Sequence, residues 1–237
     1  MRVAMTSREI QNWLLTIAIL GMAVTIGARE IRARRIAVDE APAPPTYQAD
    51  WRKALGAATL ISNPQASVTL LEFVDLQCPF CRRSHIVVKE LEAKFGNRLS
   101  VAFVHFPLSN HSKSRHRAFM VECGKRVDRG WEMIDQLFSL TAADVENTQH
   151  VASRAGVRDS AAFVQCLSDS LRLNRVTSGR AVGDSLGVYA TPTIILNGWR
   201  FKGAVSKEYL GDAIDDLLAG RKLRATQGSR INAVGEK

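Results

Sequence analysis

Residues 70–85 read LLEFVDLQCPFCRRSH. A run rich in strand formers breaks off at Gln77, two cysteines follow with two residues between them, and beyond them Ile86, Val87, Leu91 and Phe95 recur at helical spacing as far as Gly96. The mostly apolar run over 68–76 predicts a strand buried on both faces. Pro79 suits a first helical position, because its missing N–H would be unpaired there anyway. A second strand is expected over 99–108, LSVAFVHFPL. Strand, helix and strand in this space are about the minimum for a parallel crossover, so the stretch points to an α/β fold with a dithiol where a strand hands the chain to a helix.

Residues 112–187 carry no strand signal and read as a helical insertion. Phe119, Cys123 and Val127 share one helix face, and Trp131, Ile134 and Phe138 another. Asp159 reads as the cap of a helix bearing Phe163, Cys166, Leu167 and Leu171. Strand character returns in TPTIILNGWRFKGAV, where Asn197-Gly198 between two alternating runs is a strong hairpin signal. A last helix over 207–218 stops at Gly220, and 221–237 reads as a disordered basic tail.

The region before this domain has a different character. WLLTIAILGMAVTIGA, residues 13–28, is uncharged and preceded by Arg2 and Arg8, so 1–28 reads as a signal-anchor or signal peptide. Residues 29–50 form a basic, Pro-rich linker, with Pro42, Pro44 and Pro45 favouring an extended spacer. The folded domain is expected over 51–220. Arg29, Arg32, Arg34 and Arg35 crowd the far side of the apolar segment, which the positive-inside rule disfavours for an exported domain. The thiol chemistry points the other way, to an oxidising compartment, and the reading follows the thiols. The net charge of +9 comes from scattered Lys and Arg without an interleaved aromatic stripe. That is a solvated basic surface with modest attraction to anionic membranes, and it argues against nucleic acid as a partner.

A thiol attacks as the thiolate, so a nucleophilic cysteine needs surroundings that favour negative charge near neutral pH. Cys78 falls where a helix begins, facing unpaired N–H groups and the positive end of the dipole. Cys81 follows one turn in, within bonding reach and more shielded, as a resolving thiol. Arg82 and Arg83 add positive charge close by and are expected to favour the Cys78 thiolate.

LLEFVDLQCPFC, HFPL, ECGKRVDRGWEMIDQLF and LGVYATPTIILNGWRFKGA together resemble the thioredoxin superfamily, and within it the exported DsbA-like thiol oxidoreductases. The resemblance covers roughly 58–219 and implies a thioredoxin-like fold with a helical insertion. It makes Glu72 a buried acid beneath the cysteines, able to exchange a proton with Cys81, although strand alternation alone would equally turn it to solvent; Asp75 competes for that role and is expected to be exposed. It implies a cis bond at Thr191-Pro192, where the residues alone also allow a trans proline opening an edge strand. Pro79, Phe80, Thr191 and Pro192 become the substrate-contacting set, with Trp199 a further contributor. The resemblance also pairs Cys123 with Cys166, two positions that otherwise read as buried free cysteines. One departure stands out: Phe80 replaces the His of the best-known oxidases, which removes a donor to the thiolate.

The expected function is disulfide formation or exchange in exported proteins, in the periplasm or a similar extracytoplasmic space, by a membrane-anchored enzyme. The resemblance implies reduced or unfolded exported proteins as substrates and a quinone-linked membrane protein as reoxidant, with no cofactor beyond the dithiol. A reductase or isomerase using the same pair is the nearest alternative. A non-catalytic metal carrier is another, since His85 completes a Cys-x-x-Cys-x-x-x-His trio, although His85 reads more simply as an exposed helix residue.

Overall fold

A computed structural model describes residues 44–140, 147–169, 174–202 and 205–223, together with a few isolated positions in the first 22 residues. Most of the predicted apolar segment, the first part of the linker and nearly all of the basic tail lie outside the described residues. Among those described, no helix is long and apolar enough to cross a membrane.

The chain from Pro42 onward forms one compact unit. Its strands are β1 (Thr46–Tyr47), β2 (Leu60–Ile61), β3 (Val68–Val74), β4 (Leu99–His105), β5 (Thr193–Leu196) and β6 (Trp199–Lys202). They make a mixed sheet in the order β1-β6-β5-β3-β4-β2. The helices are α1 (Pro79–Phe95), α2 (Ser114–Lys125), α3 (Gly130–Ser139), α4 (Thr148–Arg154), α5 (Ser160–Ser168), α6 (Asn174–Ser185) and α7 (Lys207–Leu218), with a 3-10 helix over Trp51–Ala57. This is a thioredoxin-like α/β fold with a helical insertion.

The central strand β3 runs parallel to β4, as the α1 crossover requires, and antiparallel to β5, which in turn forms the hairpin with β6. Because side chains alternate across a strand, its two faces enter different cores. Val68 and Leu70 join Val88, Leu91 and Phe95 of α1 and Leu210, Ala213 and Ile214 of α7. Leu71 and Phe73 face the opposite layer, with Trp51, Ala54, Leu186 and Val188. A third core fills the insertion, where Met120, Cys123, Ile134, Leu137 and Phe163 surround Val74, Leu76, Phe103 and both Cys78 and Cys81. The cysteine pair is therefore packed by the insertion as well as by the sheet.

Several local features explain the course of the chain. Asn197 and Gly198 adopt φ of 45° and 95°, the left-handed pair a two-residue hairpin turn demands. Asp159 caps α5, accepting from the Ala162 amide at 2.9 Å. A Cβ on Gly183 would stand 2.5 Å from Cε2 of Phe106, so glycine there lets α6 approach the sheet closely. Cys123 and Cys166 form a disulfide between α2 and α5, with Cα atoms 5.8 Å apart.

Both long strands end earlier than the expected 76 and 108. Asp75 is the cause: its carboxylate accepts from the Gln77 amide at 2.7 Å and from the Leu108 amide at 2.8 Å, so it folds both chain segments out of the sheet. The short strands β1 and β2 have no counterpart in the sequence reading, because two-residue edge strands carry no periodicity. β1 lies inside the stretch assigned to the linker, and pairs with Trp199 and Arg200.

Candidate functional site

Cys78 is the N-cap of α1, with extended backbone angles, and Pro79 takes the first helical position. The Cys78 amide bonds back to the Asp75 carbonyl at 3.1 Å, which fixes the turn after β3. Both cysteines are thiols in this structure. Cys78 is 5% exposed and Cys81 fully buried.

The two thiols are driven apart electrostatically. Cys78 is lowered to about 5, foremost by the hydrogen bond from the Cys81 thiol; burial opposes this, while the Cys81 and Phe80 amides and Thr191 add to it. Cys81 moves far above the ordinary thiol range, because burial, the neighbouring Cys78 sulfur and the charge of Glu72 all disfavour its thiolate. One sulfur is thus ionised at neutral pH and the other keeps its proton. The stabilisation comes from hydrogen bonds at the helix start, not from the two arginines. Arg82 donates to the Leu140 carbonyl at the end of α3, and Arg83 stacks 4.5 Å over the Phe80 ring.

Glu72 lies on the β3 face that carries Leu70 and Val74, and only 2% of it is exposed. Its Oε1 accepts from the Ser84 hydroxyl at 2.5 Å. Burial pushes its pKa up to about 7, against the lowering influence of Ser84. Ser84 was not singled out in the sequence; its position three residues after Cys81, on the inner face of α1, was the available signal. Asp75, expected to be exposed, is fully buried. It is spent on the turn amides and on His111, whose Nδ1 lies 2.9 Å away, so it does not compete with Glu72.

His85 also differs from expectation. It is 8% exposed, with Nε2 2.6 Å from Oδ1 of Asp135 and its ring against Phe138. The sequence could not show this, because the partner comes from α3, fifty residues away. Among the described residues, no group of three or more potential metal-ligating side chains converges.

The Thr191-Pro192 peptide is cis, and the Cys78 thiol lies 3.4 Å from the Thr191 carbonyl oxygen. Thr191 is 8% exposed, whereas Phe80 is 51% and Tyr189, two residues before Thr191, 86% exposed. Tyr189 went unnoticed in the sequence, where an aromatic before a strand looks like core. Trp199 is not part of this site. It pairs with Leu196 and Tyr47 at the hairpin end of the sheet, where Asn197 meets Thr69 at the start of β3.

A sheet with a central parallel pair, a Cys-Pro-Phe-Cys helix start and a proline loop against the leading sulfur define a dithiol protein of thioredoxin architecture. A thioredoxin family model matches residues 56–216, and the chain belongs to that family. The fold is the DsbA-like form. The thiol-disulfide exchange protein alpha-DsbA2 of Wolbachia pipientis superimposes with a TM-score of 0.64 at 19% identity, covering 71% of this chain and 92% of that one. A thioredoxin-like oxidoreductase from Silicibacter pomeroyi gives 0.63 at 20% identity, covering 73% and 98%. In sequence, a Na(+)/H(+) antiporter NhaA 1 of Mycolicibacterium gilvum is 32% identical over 146 residues, which are 60% of this chain and 23% of that protein. The chain spans about a quarter of the length of the curated relatives it matches.

Proposed function

We propose that this protein is an extracytoplasmic thiol-disulfide oxidoreductase that forms or exchanges disulfides in exported proteins through Cys78 and Cys81. The observation that carries the reading is the split between the two thiols: Cys78 is held ionised at the helix start beside Thr191, and Cys81 is protonated behind it.

In the oxidising direction a substrate thiolate attacks Cys78 of the disulfide. The Cys78–Cys81 bond breaks, a mixed disulfide forms, and Cys81 leaves and takes a proton. Glu72 is the nearby acid, and its pKa near 7 suits it to give or receive that proton. A second substrate thiolate then attacks the substrate sulfur and releases Cys78 as a stable thiolate. Two substrate thiols become one disulfide, two electrons reside on the enzyme, and one of the two protons goes to solvent. A stable leaving thiolate makes the disulfide oxidising, which favours the oxidase reading over a reductase.

The extended backbone of a bound substrate would run along Thr191 and Pro192 next to Cys78, with Pro79 and Phe80 on its other side. The thiol chemistry fits a periplasmic setting, with the N-terminal apolar segment as tether and a quinone-linked membrane protein as reoxidant. The decisive experiment is the reduction potential of Cys78/Cys81 combined with thiol exchange on reduced protein substrates. A potential well above roughly -270 mV and loss of exchange in Cys78→Ser support the proposal; a potential at or below that value assigns the pair to reduction.

A further inference from the structure

If Glu72 trades protons with Cys81, emptying or refilling it before Cys81 returns the proton needs a path to solvent, yet Glu72 is 2% exposed. A cavity of about 190 Å³ meets this need. Glu72 lines it together with His85, Lys89 and Glu92 of α1 and Trp131 and Asp135 of α3. Its walls include neither cysteine nor the Thr191-Pro192 loop, so a substrate docked at Cys78 leaves it open. Val88, Val101 and Phe103 complete a wall that is more apolar than polar, and the volume holds several water molecules along the line of polar groups from Glu72 to Asp135. At its rim, the Asp135 and Lys89 side chains are 36% and 54% exposed, which connects the buried acid to bulk water.

Within that lining, His85 and Asp135 form a dyad. Asp135 accepts from His85 Nε2 at 2.6 Å through Oδ1, and from Lys89 Nζ at 2.6 Å through Oδ2. With Nε2–H donated to Asp135, the neutral ring has Nδ1 left as an acceptor. Burial lowers the affinity of His85 for a second proton and Lys89 lowers it further, while Asp135 and Glu92 raise it; the net shift is downward, so the ring is neutral at pH 7.

We propose that Glu72 exchanges its proton with solvent through this cavity by way of the His85–Asp135 pair, both residues acting on the cysteines only through Glu72. This rests on the oxidoreductase reading of Cys78 and Cys81. When Cys81 is needed as a nucleophile, its S–H bond breaks and the proton goes to the Glu72 carboxylate. The Glu72 O–H bond then breaks, the proton crosses the cavity to His85 Nδ1, and the resulting imidazolium, paired with Asp135, gives it to solvent. No electrons move in this leg. Across α1 and α3 the helical insertion thus completes the proton route of the thioredoxin core.

The test uses the full-length protein carrying a mixed disulfide between Cys78 and glutathione, from which attack by Cys81 releases glutathione. Release is followed against pH. His85→Ala is expected to slow it roughly tenfold near neutrality, with added imidazole restoring the rate. Asp135→Asn, at the cavity rim, is expected to slow it in the same direction, and the reduction potential is expected to stay at the wild-type value in both. Equal rates for wild type and both variants at every pH, or a loss that imidazole does not repair, would overturn the proposal while leaving the thiol chemistry in place. No release from the wild type would remove the oxidoreductase reading, and this inference with it.

Discussion

The Cys78 sulfur lies 3.4 Å from the carbonyl oxygen of Thr191, although 113 residues separate the two in the chain. Cys78 is therefore held at the start of a helix and against the loop that leads into β5, the strand beside β3. In the proposed reaction a substrate reaching that sulfur would meet the loop backbone at the same time.

The Cys78 pKa near 5 gives a direct expectation. Its alkylation rate should inflect near that pH rather than in the usual thiol range. Above it, reduction of the pair consumes two electrons and one proton, so the reduction potential should fall by about 30 mV per pH unit, measured against glutathione buffers. The same depressed pKa stabilises the folded, reduced protein fully above its ordinary value of 9.0, and that contribution is lost as pH falls through about 5. The stability gap between reduced wild type and Cys78→Ser should shrink across that window.

Glu72 has the opposite sign. Its folded pKa is raised from 4.5 to about 7, so its burial costs nothing below the lower value, increasingly more through the upper one, and the full amount above it. At about 1.4 kcal/mol per unit that corresponds to roughly 3 kcal/mol at most. Glu72→Gln should be more stable than wild type at alkaline pH, converge with it in acid, and exchange thiols more slowly. Denaturant titrations at both pH extremes and a Cys81-dependent rate check the two halves.

The Cys123–Cys166 bridge closes a separation of 43 residues across α2 and α5. Converting both to alanine should lower stability by about 3 kcal/mol, read from urea unfolding, mainly through a less constrained unfolded chain. The Cys78 alkylation profile should keep its inflection, since the bridge donates nothing to that sulfur.

Gly183 offers a test of the layer behind the sheet. An alanine methyl there would come within 2.5 Å of the Phe106 ring, and Phe106 is fully buried. Gly183→Ala should cost about 1–3 kcal/mol, whereas Gly56→Ala, with open space around it, should stay near neutral in the same thermal melts.

What the sequence discloses follows from how local each cause is. Cys78 and Pro79 announce their helix start because capping and proline geometry are set by adjacent residues. Asn197-Gly198 announces its hairpin for the same reason. The alternation of β3 left Glu72 open to either face; β4 and β5 flank it in the sheet, and Ser84 of α1 takes its carboxylate. Asp75 and His85 were misjudged as exposed because their partners, Leu108, His111 and Asp135, come from segments far along the chain. Arg82 and Arg83 look like neighbours of the thiolate by number, yet their long side chains bind the Leu140 carbonyl and the Phe80 ring instead.

The sulfurs of Cys78 and Cys81 share their apolar surroundings with Met120, Ile134, Leu137 and Phe163 of the insertion. The insertion is therefore not an interchangeable cap. A chimera that kept β3, α1 and the proline loop but borrowed its middle third from a distant relative would inherit a different contact shell around the dithiol, and with it a different redox character.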